Sequence, residues 1–585
     1  MTRLPTAAFL ASLPLIAFVL SLEVATTARA GGLEYASGGT VGLARGGANA
    51  ARADTPMVLQ KNPAGLAELR GNQLMINLEY ARMNACVTPF GYYGWGSNYG
   101  TQSNTKLIDP NTGEQQTLSL QGDGNPPVLS PEASAYYNDP YDKVCLNQQK
   151  LPLPQLAFSM RLTERLGFGA GLIFPSVTPQ GTWGGKNGVI RGDTGELRPT
   201  PTRYMMVSSN NLGVFPTVGL GYRLTDWFRI GAALEWGMFA ISNINVTPTT
   251  SGNSPSKDML SRISAEDFFV PAFNVSVHLV PVDAIDVVLG FRYQDDLDAS
   301  GRMIVTSGTF EPSFQPVNTR LKVSSINQPM PWKLWAGFRY ADRIRPRPTG
   351  TGVGEGARSP EAEPVHDPLG DERWDVELDA VYEMNSRVKG QDVDFPPGQW
   401  IETLGVDGTP GVPVQFPAPD TPPIFIQKQW KDQISLRAGG SYNFVPGLFS
   451  VSAGAHYENR GINPAFMQLD FWPLQRVGLH AGFTVRLARA VDLNFAYAHI
   501  FQETLTVAAP PHDPTGVAGI DKGVGVQAAR GQVLDPVEET PAPNPDGVAA
   551  LRQNVTRAPK APMIVNAGKY VSSIDVLSAG VQMHF

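Results

Sequence analysis

The chain has 585 residues, with 46 Lys and Arg against 53 Asp and Glu, so its formal net charge is −7. This acidic balance and the lack of a basic run argue against a nucleic-acid partner. Glycine (60) and proline (50) are abundant, helix-favouring runs are rare, and strand-length segments recur, which together favour an all-β fold.

The amino terminus has the features of an export signal. Arg3 supplies a short positive region, an apolar stretch runs from about Ala7 to Leu22, and Ala28-Arg29-Ala30 forms a small-x-small cleavage site. We therefore expect residues 1–30 to be a signal peptide that is removed, with an uncleaved anchor as the alternative. No other segment has the roughly 20 apolar residues that a transmembrane helix needs.

A glycine-rich segment that is not strand-like follows at residues 31–72. It holds Gly46 and Gly47, apolar residues such as Leu33, and the triplet Asn62-Pro63-Ala64. Asn can hydrogen-bond its own backbone and Pro fixes φ, so this triplet predicts a defined turn. Ahead of a β-barrel, such a segment could fold back as a hatch that fills the lumen, anchored to the wall by this turn.

Residues 73–585 contain fourteen segments in which apolar and polar residues alternate with period two, as they do in amphipathic β-strands. The last strand ends on Phe585, the usual signature of a bacterial outer-membrane barrel. A soluble β-sandwich would not need a signal peptide, a terminal Phe and fourteen strands. We predict an all-β fold, a transmembrane antiparallel β-barrel of about 14 strands with an N-terminal plug. The alternating segments are 74–80, 156–162, 168–174, 218–224, 228–236, 273–279, 287–293, 334–340, 376–382, 434–444, 451–457, 477–487, 491–497 and 577–585.

Short turns alternate with long polar connections along these strands. Transmembrane barrels have short periplasmic turns and long extracellular loops, so the long connections at about 84–152, 391–427 and 508–569 are expected outside the cell. One exception is the stretch 342–373, rich in Pro, Gly and charge, which is expected as a flexible periplasmic excursion.

The two cysteines lie near the two ends of the first long loop. Cys86 follows strand one and Cys145 precedes strand two, so the barrel would hold their positions near each other. After export they would meet an oxidising compartment, and we expect them to form a disulfide.

Charged residues fall on the polar parity of the strands. Facing lipid at mid-bilayer would cost roughly 2–4 kcal/mol for each Arg or Lys, so these residues should point into the lumen. A salt-bridged, rigid lumen and a substrate role for individual charges both remain open. The residues are Arg161, Arg223, Arg292, Arg339, Arg437 and Arg486 against Glu235, Glu377, Asp379, Glu383 and Asp492.

No constellation for catalysis is visible. His456, His480 and His499 lie on predicted strands, but spacing identifies no serine or acid partner for a hydrolase, and the order of Cys and His gives no metal motif. We therefore expect no enzymatic activity, no cofactor and no metal.

The glycine-rich stretch Ser37–Ala48, the Asn62-Pro63-Ala64 triplet and the fourteen strands together resemble the FadL/TodX-type family of outer-membrane long-chain fatty-acid and hydrocarbon transporters. The resemblance extends to 214–227 and 427–432. It implies a hatch and a basic residue near the start of strand ten that approaches the substrate carboxylate. Lys428 or Lys431 is the matching position, and a snorkelling role at the interface is the alternative for both. Arg437 and Leu33 are further ligand-binding candidates.

The third strand of that family is kinked inward and opens a gap in the wall. Here Phe174 is followed by Pro175 and Pro179, and proline cannot donate to a strand ladder. The resemblance therefore implies a lateral exit at these residues, although the prolines could simply end the strand.

The expected function is passive uptake of hydrophobic compounds, with long-chain fatty acids as the first expected cargo. Neutral or aromatic hydrocarbons through the same barrel, and a general diffusion porin for small polar solutes, are the alternatives. The expected partners are the hydrophobic small molecule, outer-membrane lipid and lipopolysaccharide, and the barrel assembly machinery, with the protein a monomer.

Overall fold

Antiparallel strands that close on themselves dominate the structure, a computed structural model. It describes residues 36–69, 71–90, 103–108, 115–121, 128–129, 140–148, 152–174, 181–185, 187–192, 195, 197–248, 258–307, 316–345, 367–403, 411–417, 424–507 and 566–585. The expected signal peptide, Leu33, Pro175 and Pro179 lie outside these residues.

Fourteen strands form the wall of the barrel. The numbering follows chain order and also counts the strands that lie in the connections, so the wall strands are not numbered consecutively. They are β1 (Asn72–Pro89), β6 (Leu153–Arg161), β7 (Leu166–Ile173), β11 (Ser208–Arg223), β12 (Phe228–Pro248), β13 (Asp258–Val282), β14 (Ile285–Gln294), β17 (Lys333–Arg343), β18 (Glu372–Glu383), β23 (Gln433–Val445), β24 (Phe449–Glu458), β25 (Arg476–Ala488), β26 (Val491–Gln502) and β28 (Gly568–His584).

Shorter or peripheral strands lie in the connections. They are β2 (Ser103–Ile108), β3 (Gln115–Gln121), β4 (Val128–Leu129), β5 (Val144–Gln148), β8 (Gly181–Trp183), β9 (Val189–Arg191), β10 (Leu197–Pro199), β15 (Leu297–Ser307), β16 (Val317–Gln328), β19 (Gly390–Asp394), β20 (Gln399–Ile401), β21 (Val414–Phe416), β22 (Ile424–Gln427) and β27 (Leu505–Val507).

Each wall strand pairs antiparallel with the next, and β28 pairs with both β26 and β1, which closes the sheet. The β1–β28 register runs from Gln73↔His584 to Pro89↔Gly568, and Phe585 N donates to Asn72 O at 2.9 Å. Each of the fourteen predicted segments lies on one wall strand. The prediction of a 14-stranded transmembrane barrel is confirmed.

The alternation divides the two faces as the sequence predicts. Apolar residues of the outward parity are exposed, for example Leu234 at 66% and Leu577 at 55%, whereas inward residues such as Asn274 and Asp286 are fully buried. Such an apolar outer face is what contact with lipid requires. Among the described helices, none is long and apolar enough to cross a membrane.

Additional strands extend the wall at the end of the barrel that carries the long connections. We call this end the long-loop end. β15 pairs with β13 through 260–266, and β16 pairs with β19 through 325–327. The sequence placed 391–427 in a polar loop, but it contains β19–β22, and β1 continues to Pro89 where a loop was expected from about residue 84. β19–β22 escaped prediction because strands of three to five residues are too short to show alternation.

The N-terminal segment, residues 36–69, lies in the lumen. It comprises helix α1 (Gly39–Ala44) and two 3₁₀ helices, Pro56–Gln60 and Pro63–Ala67. Thr40 Oγ1 donates to Asn77 Oδ1 of β1 at 2.8 Å and lies 2.7 Å from Ser578 Oγ of β28. Leu43 and Leu59 are fully buried, so the apolar side chains of the segment pack inside the barrel.

The stretch 342–373, expected as a flexible excursion, is packed in its described parts. Ile344 N donates to Asp371 O at 2.7 Å, and helix α2 (Pro368–Asp371) ends next to β18. Asp367 accepts from Arg486 Nη1 at 2.5 Å and Nη2 at 3.1 Å, which ties the stretch across to β25. Residues 346–366 lie outside the described part.

Two more 3₁₀ helices, Asn385–Arg387 and Pro464–Phe466, lie in connections at the long-loop end.

Candidate functional site

Two adjoining cavities occupy the lumen between the N-terminal segment and the long-loop end. The upper cavity has an empty volume of about 1030 Å³ and is lined largely by apolar side chains, including Leu153, Phe239, Ile241, Leu297, Met330 and Phe471. The lower cavity has about 860 Å³ and rests on Ser37, Ala50, Gln60 and Lys61 of the N-terminal segment. Phe215, Arg292 and Lys333 line both cavities, so the two meet there.

The cations at this junction are paired with carboxylates. Arg292 Nη2 lies 2.7 Å from Glu235 Oε2, and the guanidinium stacks 5.1 Å from the centre of the Phe215 ring. Lys333 Nζ lies 3.1 Å from Glu383 Oε1. The junction therefore has little net charge, and its arginine is held flat against an aromatic wall.

Lys428, the first candidate for a substrate carboxylate, does not line either cavity. The residue is 1% exposed, and its ammonium donates to Asp470 and Gln468 and lies 5.5 Å from the centre of the Phe471 ring. Asp470 and Phe471 line the upper cavity, so Lys428 stands behind them. A ligand carboxylate would have to displace Asp470 to reach this lysine.

The other ligand candidates are dispersed. Lys431 is half-buried and its backbone N donates to Gly461 O at 2.9 Å. Arg437 lines the lower cavity, where its Nε donates to Ser435 Oγ at 2.9 Å and Nη2 lies 3.6 Å from Glu458 Oε1. The structure therefore does not bring Lys428, Lys431 and Arg437 together at one site.

The Asn62-Pro63-Ala64 turn attaches the N-terminal segment to β13. Asn62 Oδ1 accepts from Gly65 N at 3.1 Å, which caps the 3₁₀ helix that begins at Pro63. Ala64 N donates to Ser276 Oγ at 2.9 Å, and Ser276 Oγ donates to Asn62 Oδ1 at 3.2 Å. The turn predicted from sequence is thus a point of contact with the wall.

The loop 45–52 of the N-terminal segment attaches to β18 through buried charges. Arg45 and Arg52 both contact Asp375, with Arg45 Nη2–Oδ2 at 2.6 Å and Arg52 Nη1–Oδ1 at 2.8 Å. Asn49 N and Ala50 N each donate to Asp379 Oδ2 at 3.1 Å. With Ala51 N, which donates to Glu377 Oε1 at 2.6 Å, five residues of the segment donate to carboxylates of one wall strand.

Gly46 and Gly47 allow this loop to approach the wall closely. Their φ angles are 68° and 77°, in the left-handed region that favours glycine. A Cβ on Gly46 would lie 2.8 Å from the backbone N of Ala455 on β24. Gly46 is therefore required by packing against the barrel wall, whereas a Cβ on Gly47 would meet Ala36 of the segment itself.

Among the described residues, which do not include 175–180, the pairing between the third and fourth wall strands has a gap. β7 pairs with β11 up to Ile173↔Phe215, and β8 resumes with Ser209↔Gly181. Leu212, between those two pairings, has the outward parity, is 41% exposed and lines the upper cavity. Among the described residues, Leu212 thus borders both the upper cavity and the outer face of the wall. Phe174 directly follows the end of β7.

Cys86 and Cys145 form a disulfide with an S–S distance of 2.07 Å. Cys86↔Cys145 is one of two register pairs between β1 and β5. The prediction of this disulfide is confirmed, and it joins the upper part of β1 to the connection that precedes β6.

No protein-family model matches the sequence, and no curated protein matches it. Solved structures do match. A Pseudomonas aeruginosa FadL homologue is 12% identical, with a TM-score of 0.58, and the match covers 95% of this chain and 100% of that one. The toluene transporter TodX of P. putida is 13% identical, with a TM-score of 0.50 and coverage of 94% and 99%.

The chain has the FadL-type fold. At these identities the likeness concerns the fold, and it agrees with the strand count and the lumenal N-terminal segment described above.

Sequence reasoning missed Arg45, Arg52 and Asp375, the core of the contact between the N-terminal segment and the wall. Asp375 does lie on the inward parity of strand nine, beside Glu377 and Asp379, so its direction was readable from the sequence. Its partners were not, because they precede it by more than 300 residues.

Proposed function

We propose that this protein carries hydrophobic compounds passively across the bacterial outer membrane. The observation that carries the proposal is the apolar upper cavity, which lies above the N-terminal segment and is bordered at the wall by the outward-facing Leu212. Burial of each CH₂ gains about 0.8 kcal/mol, so such a cavity suffices to hold an apolar solute. The FadL-type fold is consistent with this role, since the similar structures include that of a toluene transporter.

A general porin is the less favoured alternative. A porin needs an open aqueous channel, whereas the N-terminal segment occupies this lumen and is bonded to β13 and β18. We propose that this segment, the predicted hatch, prevents free passage of ions and polar solutes. Steady high conductance of the intact protein would support a porin instead.

The proposed exit is the interruption between β7 and β11. A hydrophobic solute in the upper cavity that leaves there would enter the bilayer directly, without crossing the hatch. Support comes from Leu212, which both lines the cavity and faces outward. A disulfide between Phe174→Cys and Val214→Cys would join the wall strands just above the Ile173↔Phe215 pair. We expect the oxidised variant to lose uptake of the hydrophobic solute and the reduced variant to recover it.

The cargo can be a fatty acid, as expected from the sequence, or a neutral hydrocarbon. One observation favours the neutral cargo: Arg292, Lys333 and Lys428 are each paired with a carboxylate. An acid would have to compete with Glu235, Glu383 or Asp470, whereas an alkane or an alkylbenzene would need only the apolar walls.

Uptake of two labelled solutes, an alkylbenzene and a long-chain fatty acid, tests the proposal in outer-membrane vesicles with and without the protein. Ile241→Trp places a large ring in the upper cavity, and Ile230→Trp on the same strand faces lipid as the matched control. We expect Ile241→Trp alone to abolish uptake. Equal uptake by both variants would contradict transport through this cavity.

A further inference from the structure

An apolar groove lies on the outer, lipid-facing surface of the barrel, separate from the lumenal cavities. It has an empty volume of about 1150 Å³, open to the surroundings, and crosses β24, β25, β26, β28 and β1. Outward-facing Ala481 and Ala579 make it deep, and large side chains form its rims, namely Leu78, Tyr80, Phe483, Phe495, Tyr497 and Leu577. None of the described residues that line it is charged.

A polar cluster stands directly above the groove on the same outward parity. Leu577, in the groove, pairs with Tyr80 and Tyr497, and two residues further up β28 Asp575 pairs with Arg82 and His499. Asp575 Oδ1 lies 2.7 Å from His499 Nδ1 and accepts from Tyr497 OH at 2.8 Å.

The height of this cluster follows from the strand geometry. Asp575 is ten residues from the terminal Phe585, and a rise of about 3.4 Å per residue at a tilt near 40° puts it about 26 Å above that end. The apolar band of such barrels is about 25 Å tall. The cluster therefore lies where the acyl chains of the outer leaflet end and its headgroups begin.

We propose that this surface is a binding site for a phosphorylated glycolipid of the outer leaflet, the lipid A part of lipopolysaccharide. Its acyl chains lie in the groove between Phe495 and Leu577, and a headgroup phosphate accepts hydrogen bonds from Arg82. His499, on the other side of Asp575, offers its ring Nε2 as a further polar contact to the same headgroup. Asp575 holds His499 and Tyr497 in place, and the charge of Arg82 opposite offsets its own. The inference rests on the outer-membrane location proposed above.

The opposite side of the barrel differs at the corresponding height. There the outward residues of β12 and β13 are Trp236, Phe268 and Phe269, with Trp236 and Phe269 in edge contact at 5.2 Å between ring centres. Trp236 and its neighbours form an aromatic girdle, which suits any lipid. Arg82, exposed beside this groove, supplies a cation for a phosphate, which these aromatic residues do not.

The test is native mass spectrometry of the full protein in detergent, titrated with purified lipid A and with the same lipid after removal of its phosphates. We expect a discrete one-to-one adduct with lipid A and a much weaker one with the dephosphorylated form. Arg82→Ser with His499→Gln should weaken lipid A binding roughly tenfold. Ala579→Phe should weaken both lipids, because the ring occupies the groove.

Matched controls separate a specific site from ordinary lipid contact. Ala232→Phe adds the same ring to a lipid-facing alanine of β12, and Arg302→Ser removes an exposed arginine from β15. Both should bind lipid A like the original protein. Equal binding by all variants, or equal binding of the two lipids, would overturn the proposal.

Two further measurements keep the outcome unambiguous. Heat-dependent migration in gels verifies that each variant is a folded barrel, and Ala481→Phe replaces Ala579→Phe if the latter does not fold. Hydrocarbon uptake measured in parallel distinguishes the two proposals, because normal uptake by an original protein that shows no discrete lipid A adduct would count only against the outer site.

Discussion

Arg45 and Asp375 form a bidentate ion pair in the lumen, with Nη1–Oδ1 at 3.0 Å and Nη2–Oδ2 at 2.6 Å. Neither side chain is exposed by more than 1%. Asp375 also accepts from Arg52 and Arg339, so one carboxylate of the wall bonds three guanidinium groups. Two of these arginines belong to the N-terminal segment, which makes Asp375 the main electrostatic attachment of that segment to the barrel.

The first prediction concerns this attachment. Arg45→Met should destabilise the N-terminal segment by roughly 3 kcal/mol, the lower end of the range for breaking a buried pair, because Arg52 and Arg339 still bond Asp375. The barrel should remain closed, while single-channel conductance in planar bilayers rises as the segment leaves the lumen more often. Arg302→Met, an exposed arginine on β15, is the control and should change neither quantity. An unchanged conductance in Arg45→Met would show that this pair does not hold the segment in place.

A second prediction uses packing instead of charge. A Cβ on Gly454 would lie 2.2 Å from the carbonyl carbon of Arg45, so Gly454→Val must push the segment off the wall. We expect raised conductance and normal heat-dependent migration of the barrel. Ala453→Val, one residue away with its side chain toward lipid, should behave like the original protein. Closed channels in both variants would contradict this close approach.

A third prediction concerns Lys428. Because it pairs with Asp470 behind the cavity wall, Lys428→Met should reduce uptake of an acid and of a neutral hydrocarbon by similar factors, through displacement of Asp470 and Phe471. Adding Asp470→Asn should restore part of the uptake of both solutes, because it removes the buried carboxylate charge that Lys428→Met leaves without its partner. Selective loss of acid uptake alone would instead show that Lys428 binds the substrate carboxylate, as the family resemblance implied.

The disulfide gives a fourth prediction. Cys86→Ser with Cys145→Ser removes a cross-link between residues 59 apart, worth roughly 4 kcal/mol in the chain-entropy model. The melting temperature should fall, and a reductant should lower it in the original protein but leave the double variant unchanged. Two free thiols in protein isolated without reductant would refute the pairing.

The sequence by itself determined the wall of this protein. Period-two alternation depends only on which residue follows which, so all fourteen wall strands and their outward faces could be predicted, as could the disulfide, whose cysteines flank neighbouring strands. The Asn62-Pro63-Ala64 turn was also readable, because Asn62 bonds a backbone N only three residues away.

Only the tertiary structure decided which partners the inward and outward side chains contact. Arg45 finds Asp375 across 330 positions, Lys428 lies behind Asp470 instead of in the cavity, and Ala579 adjoins both Leu78 and Phe495 where the first and last strands join. Such contacts depend on strand register and on closure of the barrel. Parity tells only which face a side chain takes, whereas its partner is set by the strands that closure brings beside it.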